Sequence, residues 1–559
     1  MAKNKPKIKS HQSLSEVFKG IAEGITGVYV FIILVFFPLY THDKYFDILG
    51  ARYVFFRVWG ISLVVILSLL GILYLVIDLQ NQASSPSALS RFINAFKIKN
   101  FKKYFIITDL FFILMMISMT ISTFGSEFFE ESFFGNSGRY QGLECWIVYF
   151  ITYIAISRTF KFRRFYIDFA ILSGCFACIW GTLDFFWLDP FGFFQNVSDV
   201  QKGMFASSIG NLNTYTNYTI MIFALASSMF VIETNLYRSI FYLITSFIGC
   251  AGSIFGLADN IVLGFFGFYL FLPFFTFKNR KQFIRYLILI DILFISMFMF
   301  YLGLKRPHNY YQGSFFQDLV SIKGMAYIFI PFTVLIVIIS LIMYKIKPNY
   351  GNIISNNLNP FDSILPKQFK FVYLVMVVFG FALVTYILLD VNVFKQHTEV
   401  WAQIPSSHQL VFNDNWGTHR GHNWRIAFTN FTQNFSIFQR LFGYGPDTYL
   451  IVSERTFYEE MVRRYGEVYD SAHNEYINYL ICEGIIGLIC YLGIFISGIR
   501  KGIKNLEKNP MIIAPIMAVI AYMVQAFVNI AIPITTPIFF TLMYMCVAEH
   551  FKNKEIENV

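Results

Sequence analysis

Apolar runs of about 20 residues recur from one end of this 559-residue chain to the other. Each is long enough to cross about 30 Å of hydrocarbon as a helix. In lipid only helices and closed barrels satisfy their own backbone hydrogen bonds, and runs of this length exceed what a barrel strand needs. The chain is 56% hydrophobic and only 14% charged, against about 25% charged in a soluble domain. An all-α polytopic membrane protein is therefore expected. Spans are predicted at 21–40, 54–78, 104–123, 142–157, 165–186, 217–233, 239–255, 257–276, 286–304, 324–344, 371–390, 477–499, 511–530 and 534–548. That is about fourteen (12–14), with the 239–276 pair divided only near Phe255-Gly256 and the last two by Ile532-Pro533.

Orientation follows from the Lys/Arg bias of the connecting loops. With a cytoplasmic N-terminus, one side collects Lys3, Lys5, Lys7, Lys9, Arg91, Lys97, Lys99, Lys102, Lys103, Arg158, Lys161, Arg163 and Arg164. The same side holds Lys278, Arg280, Lys281, Arg285, Lys345, Lys347, Lys367, Lys370, Arg500, Lys501, Lys504 and Lys508. In all, 29 of the 44 basic residues fall inside and 15 outside, so both termini are expected in the cytoplasm. The net charge of +10 then anchors loops against anionic lipid and gives no reason to expect a nucleic-acid partner. The first apolar run is too long for a signal-peptide core and no small-residue cleavage site follows it. All seven cysteines (Cys145, Cys175, Cys178, Cys250, Cys482, Cys490 and Cys546) fall in predicted spans, so no disulfide framework is implied.

One segment breaks the apolar pattern. Residues 391–476 divide the chain into a transmembrane bundle at 1–390, a large extracytoplasmic loop, and C-terminal helices at 477–559. The loop holds five of the nine histidines and seven of the 44 Lys+Arg residues. Long loops inside compact proteins are usually functional. Its cations are Lys395, Arg420, Arg425, Arg440, Arg455, Arg463 and Arg464, with His397, His408, His419, His422 and His473 beside them. Arginine keeps its charge and offers a planar fork to an oxyanion, so a diphosphate at the outer leaflet is one ligand such a loop suits. The alternative is solvated ion pairing with Glu454, Glu459, Glu460 and Glu467, the simpler account for Arg455, Arg463 and Arg464. Arg420 and Arg139, the latter in an earlier exterior loop, have no acid close in sequence. His473 stands one turn before a span, and histidine can accept a proton near neutral pH. His419 and His422 have i,i+3 spacing, but no carboxylate or cysteine adjoins them in sequence, so no metal site is expected. Walker, dinucleotide, HExxH and G-x-S-x-G patterns are missing, as is an acidic pair of Asp-x-Asp type in the exterior loops.

Several short motifs fall in order along the second half. They are Gly210-Asn211-Leu212-Asn213, His419-Arg420-Gly421 with Trp424, Gly443-Tyr444-Gly445-Pro446-Asp447-Thr448-Tyr449, Ala472-His473-Asn474-Glu475-Tyr476, and Glu483-Gly484-Ile485-Ile486-Gly487. In this combination the chain resembles the O-antigen ligase and O-antigen polymerase family of bacterial membrane glycosyltransferases, loosely from Gly203 to Ala548. The resemblance implies a GT-C-like architecture and a polyprenyl-diphosphate-linked oligosaccharide substrate, used without cofactor or metal. The acceptor would be a glycan or glycolipid, polysaccharide-assembly proteins would be partners, and the setting would be the bacterial cytoplasmic membrane with an extracytoplasmic site. It casts His473 and Arg420 as catalytic and Arg139 and Arg425 as diphosphate-binding, with Asn211, Asn213 and Asn474 in support. Many members carry a Ser-Arg pair where this chain reads Gly256-Leu257-Ala258-Asp259-Asn260. Asp259 is then either an acid within a helix or a residue at an exterior boundary. Two other readings stand beside this one. A flippase for the same lipids should place charges mid-helix along a cavity, and a peptidoglycan polymerase should centre on an exterior acid.

Overall fold

The computed structural model describes residues 14–81, 86–100, 104–136, 138–305, 314–346, 360–403 and 407–557. The orientation markers Lys3, Lys5, Lys7, Lys9, Lys102, Lys103 and Lys347 lie outside the described residues. Among the described residues, 11 helices are long and apolar enough to cross a membrane, and two shorter apolar helices, Asn260–Thr276 and Thr536–Glu549, join them. The chain is an all-α polytopic membrane protein, and its one sheet among these residues is a two-residue pairing of Phe205–Ala206 with Gly210–Asn211.

Thirteen of the fourteen predicted spans each coincide with one helical stretch, but the lengths differ. The 142–157 run is the 17-residue helix Leu143–Thr159. The 477–499 run is two helices, Glu475–Cys482 and Gly484–Asn505. Backbone approach causes that break. Gly484 has φ +72°, and a Cβ there would lie 2.4 Å from the carbonyl oxygen of Leu441. Across the contact Gly443 has φ +86°, and its Cβ would meet the Cys482 carbonyl oxygen at 2.0 Å. Only glycine tolerates both the left-handed backbone and the contact. Tyr444 N–H donates to Ile481 O (3.0 Å) and Gly445 N–H to Cys482 O (3.1 Å), which satisfies the carbonyls that the break frees.

Burial divides the spans into a core and a lipid-facing set. In Leu212–Ile232, 94% of the apolar window is buried, whereas in Gln368–Phe394 none is. The core helix packs against Leu236–Phe255, Asn260–Thr276 and Ile513–Gln525 and carries Thr214, Thr216, Asn217, Thr219, Ser227 and Ser228, all buried. Lipid provides no hydrophobic force between helices, so small and hydrogen-bonding side chains do the joining. Thr216 donates to Asn260 Oδ1 (2.7 Å) and Ser253 donates to Thr219 (2.8 Å). At the end of this helix Asn213 O accepts from Asn260 Nδ2 (3.2 Å) and Asn529 Nδ2 (3.1 Å), tying three helices where a cleft opens.

Candidate functional site

The Ala472-His473-Asn474 loop is pinned from both sides. Trp424 Nε1 donates to Ala472 O (3.0 Å). Asn474 caps the Glu475–Cys482 helix, its Oδ1 accepting from Tyr476 N (3.0 Å) and Ile477 N (3.1 Å). The buried Glu475 carboxylate accepts from Tyr491 (2.8 Å) and Tyr522 (2.7 Å) on two further helices. Held between these anchors, His473 takes φ +50°, a conformation non-glycine residues adopt only when their surroundings impose it. Its Nδ1 lies 3.2 Å from Ser471 Oγ.

Arg420 emerges from a second left-handed passage, Gly417, Thr418 and His419 at φ +59°, +58° and +67°. The regular helix that runs to Thr429 begins only after it. Arg420 Nη1 donates to Gly417 O (2.6 Å), while Nε is buried with no hydrogen-bond partner. Arg139 comes from a separate segment of the chain, and the Gly-Tyr-Gly-Pro-Asp motif explains how it is placed. Asp447, 7% exposed, accepts from Asn136 N (2.8 Å) and Gln141 N (3.0 Å), clamping both ends of the Arg139 loop. Arg139 pairs with Asp470, and its Nε is likewise buried without a partner.

Arg139, Arg420 and His473 line one cleft of about 990 Å³, together with Asn211, Asn213 and Asp259. Asn211 caps the core helix through Asn213 N (2.9 Å). Asp259 lies between two helices at the cleft wall, accepting from Phe315 N (2.7 Å) and Gln409 Nε2 (2.9 Å). Asp259 stands just ahead of the helix Asn260–Thr276 and not within it. The lining is mixed in sign, since Asp199, Glu467 and Asp470 also face it. Asp470 is engaged by Arg139, and Asp199 by Lys202 (2.8 Å).

These surroundings tune the groups. Burial, reinforced by the positive charges of Arg420 and Arg139, pushes His473 down to about 4, so the imidazole is neutral at physiological pH. Burial also lowers Arg420, with the Asp259 carboxylate opposing the drop. Burial raises Asp447 to about 7, against the pull of the two N–H groups it accepts. An uncharged base thus stands beside two guanidiniums whose hydrogen-bonding capacity is only partly used. Such an arrangement suits an oxyanion next to a hydroxyl.

The other cations of the segment are placed differently. Arg425 lies outside the cleft lining. It binds Asp414 (3.0 Å) and Glu460 (2.6 Å), and Arg464 joins Asp414 (2.6 Å). Buried His422 accepts from Arg425 at Nδ1 (2.8 Å). The ligand atoms of Asp414, His422 and Glu460 lie within 4.8 Å of one another, and the Arg425 guanidinium occupies the position among them. The sequence reading found no carboxylate next to the His419/His422 pair. Folding supplies two, from Asp414 on the preceding loop and Glu460 on another helix, but only to His422. His419 turns away, its Nδ1 2.8 Å from Tyr469 and its ring 4.0 Å from that of Tyr465. Arg455 pairs with Glu127 (2.8 Å) and not with the acids near it in sequence. Sequence alone assigns no role to Asp447 or Asp470: Asp447 lies within the Gly443–Tyr449 motif, whereas nothing local marks Asp470.

The family model described as O-Antigen ligase matches residues 319–492, a stretch that includes Arg420, Asp447, Asp470 and His473 but not Arg139. No curated protein sequence matches the chain.

Proposed function

We propose that this chain, whose residues 319–492 match the family model described as O-Antigen ligase, belongs to the O-antigen ligase and polymerase family and transfers glycan from a polyprenyl-diphosphate carrier to an acceptor hydroxyl in the 990 Å³ cleft. The transfer joins repeat units to one another or to a second acceptor at the outer face of the bacterial cytoplasmic membrane. The observation that carries the reading is the convergence of Arg139, Arg420 and a neutral His473 from three separate segments.

In the proposed step the acceptor oxygen forms a bond to the anomeric carbon, and the bond from that carbon to the diphosphate oxygen breaks. The electron pair leaves with the lipid diphosphate. Charge grows on that oxygen in the transition state, where preorganised guanidinium donors stabilise it most. The unpartnered Nε groups of Arg139 and Arg420 are donors already desolvated in the free protein. His473 accepts the hydroxyl proton. Bound diphosphate offsets the two arginine charges that depress the imidazole, so substrate binding raises its basicity when a base is needed. Asp199 and Glu467, on the same lining, accept hydrogen bonds from sugar hydroxyls.

The test is transfer from a defined polyprenyl-diphosphate repeat unit by the purified chain, with products sized on a gel. A ladder supports joining of repeat units, and product only with an added second acceptor supports ligation. Unchanged yield from both His473→Ala and Arg420→Ala would refute the assignment.

A further inference from the structure

A second cavity, of about 290 Å³, shares no lining residue with the cleft. Its wall includes Asn430, Asn434, Phe435, Gln439, Tyr444 and Arg455. Asn430 ends the helix that Arg420 begins, which separates the two by roughly 15 Å at 1.5 Å per residue.

The chemistry of this wall is selective. Arg455, its only cation, is taken by Glu127 (2.8 Å) and the Tyr444 hydroxyl (2.6 Å), so no charge is left for an anion. Three carboxamides line the space, and each side-chain amide offers both donors and an acceptor. Asn430 is 1% exposed; its Oδ1 accepts from Asn434 Nδ2 (2.8 Å), while its own Nδ2 has no partner. A buried donor left unpaired costs free energy that a ligand acceptor would recover. The Tyr444 and Phe435 rings, stacked near-parallel at 27°, form an aromatic wall. Neutral carboxamides beside an aromatic face match a neutral polyhydroxylated ligand, whose hydroxyls pair with the amides while its C–H face lies on the ring.

We infer that this cavity is a saccharide-binding site separate from the diphosphate cleft, holding sugars of the glycan distant from the reacting end. Binding itself is independent of the transfer mechanism; only the idea that the two sites hold one glycan rests on that reading. The probe is the polysaccharide released by mild acid from cells carrying the wild-type chain, and binding to the purified full chain is followed by saturation-transfer NMR and titration. Thr456 lines the cavity from an exposed position, so Thr456→Trp fills the space without disturbing the core. That variant is expected to lose at least about tenfold in affinity with an unchanged melting temperature, and Asn430→Leu to lose a similar amount. His473→Ala and Arg420→Ala should bind as wild type does. No binding by the wild-type chain, binding by Thr456→Trp within about threefold of wild type, or equal loss in the His473 and Arg420 variants would overturn the inference. Loss of transfer in those two variants tests the mechanism separately.

Discussion

Arg420 and Arg425 stand five residues apart on one helical segment, yet their surroundings are opposite. Arg425 is bound by Asp414 and Glu460, with His422 accepting a further hydrogen bond, and Arg464 adds to the same carboxylates. Arg420 has one backbone acceptor, a buried Nε without a partner, and a neutral histidine on the same cleft. A count of arginines would rank the two groups equally. Unused hydrogen-bonding capacity separates them, because a guanidinium that already has its anions has little left for a ligand.

The largest effects should fall on the cleft. Arg420→Ala or His473→Ala is expected to lower kcat/KM for glycan transfer about 100-fold or more, measured with the purified chain in lipid. Arg420→Lys should recover little, since an ammonium cannot reproduce the planar fork. A smaller loss, about tenfold, is expected from Asp447→Ala, which frees the Arg139 loop. Asp447→Asn should stay near wild type, because an amide oxygen can accept the same two N–H bonds. The pair together tests whether the clamp works by geometry or by charge.

The pH profile sharpens the contrast further. Only the neutral imidazole accepts a proton, and His473 is held down to about 4 in the free protein. The ratio kcat/KM, which reports the free enzyme, should therefore stay level down to about pH 5 and fall as pH drops through about 4. An unperturbed histidine would lose activity through about 6.5. The smallest effect is expected at Arg425. Arg425→Ala should leave transfer within about threefold of wild type, while lowering stability by about 1 kcal/mol through lost exposed ion pairs, read as a drop in melting temperature.

Span positions were legible because hydropathy reports the solvent, and thirteen of the fourteen predicted runs each coincide with one helical stretch. The break at Gly484 was not, since it arises from the approach of the Gly443 backbone, some forty residues away in sequence. The core helix at 212–232 is the less apolar of the two extremes, with mean hydropathy 1.4 against 2.6 for the bare helix at 368–394. The buried Thr and Ser residues of the former were the available sign. At the site, Arg139, Arg420 and His473 could be nominated by residue type and position. Their convergence depends on Asp447 and Trp424, whose bonds run to distant backbone atoms, together with the local helix cap of Asn474. The motif separates Arg420 from Arg425, but the ion pairs that occupy Arg425 are not legible locally, because its partner Glu460 is 35 residues away.

The most direct test compares three proteins in one assay: wild type, Arg420→Ala and Arg425→Ala, each incubated with the same polyprenyl-diphosphate repeat unit. Product from wild type and Arg425→Ala, with none above background from Arg420→Ala, is the result expected if unpaired guanidinium capacity defines the site. Equal loss in both variants, or product from Arg420→Ala at the wild-type rate, would contradict it.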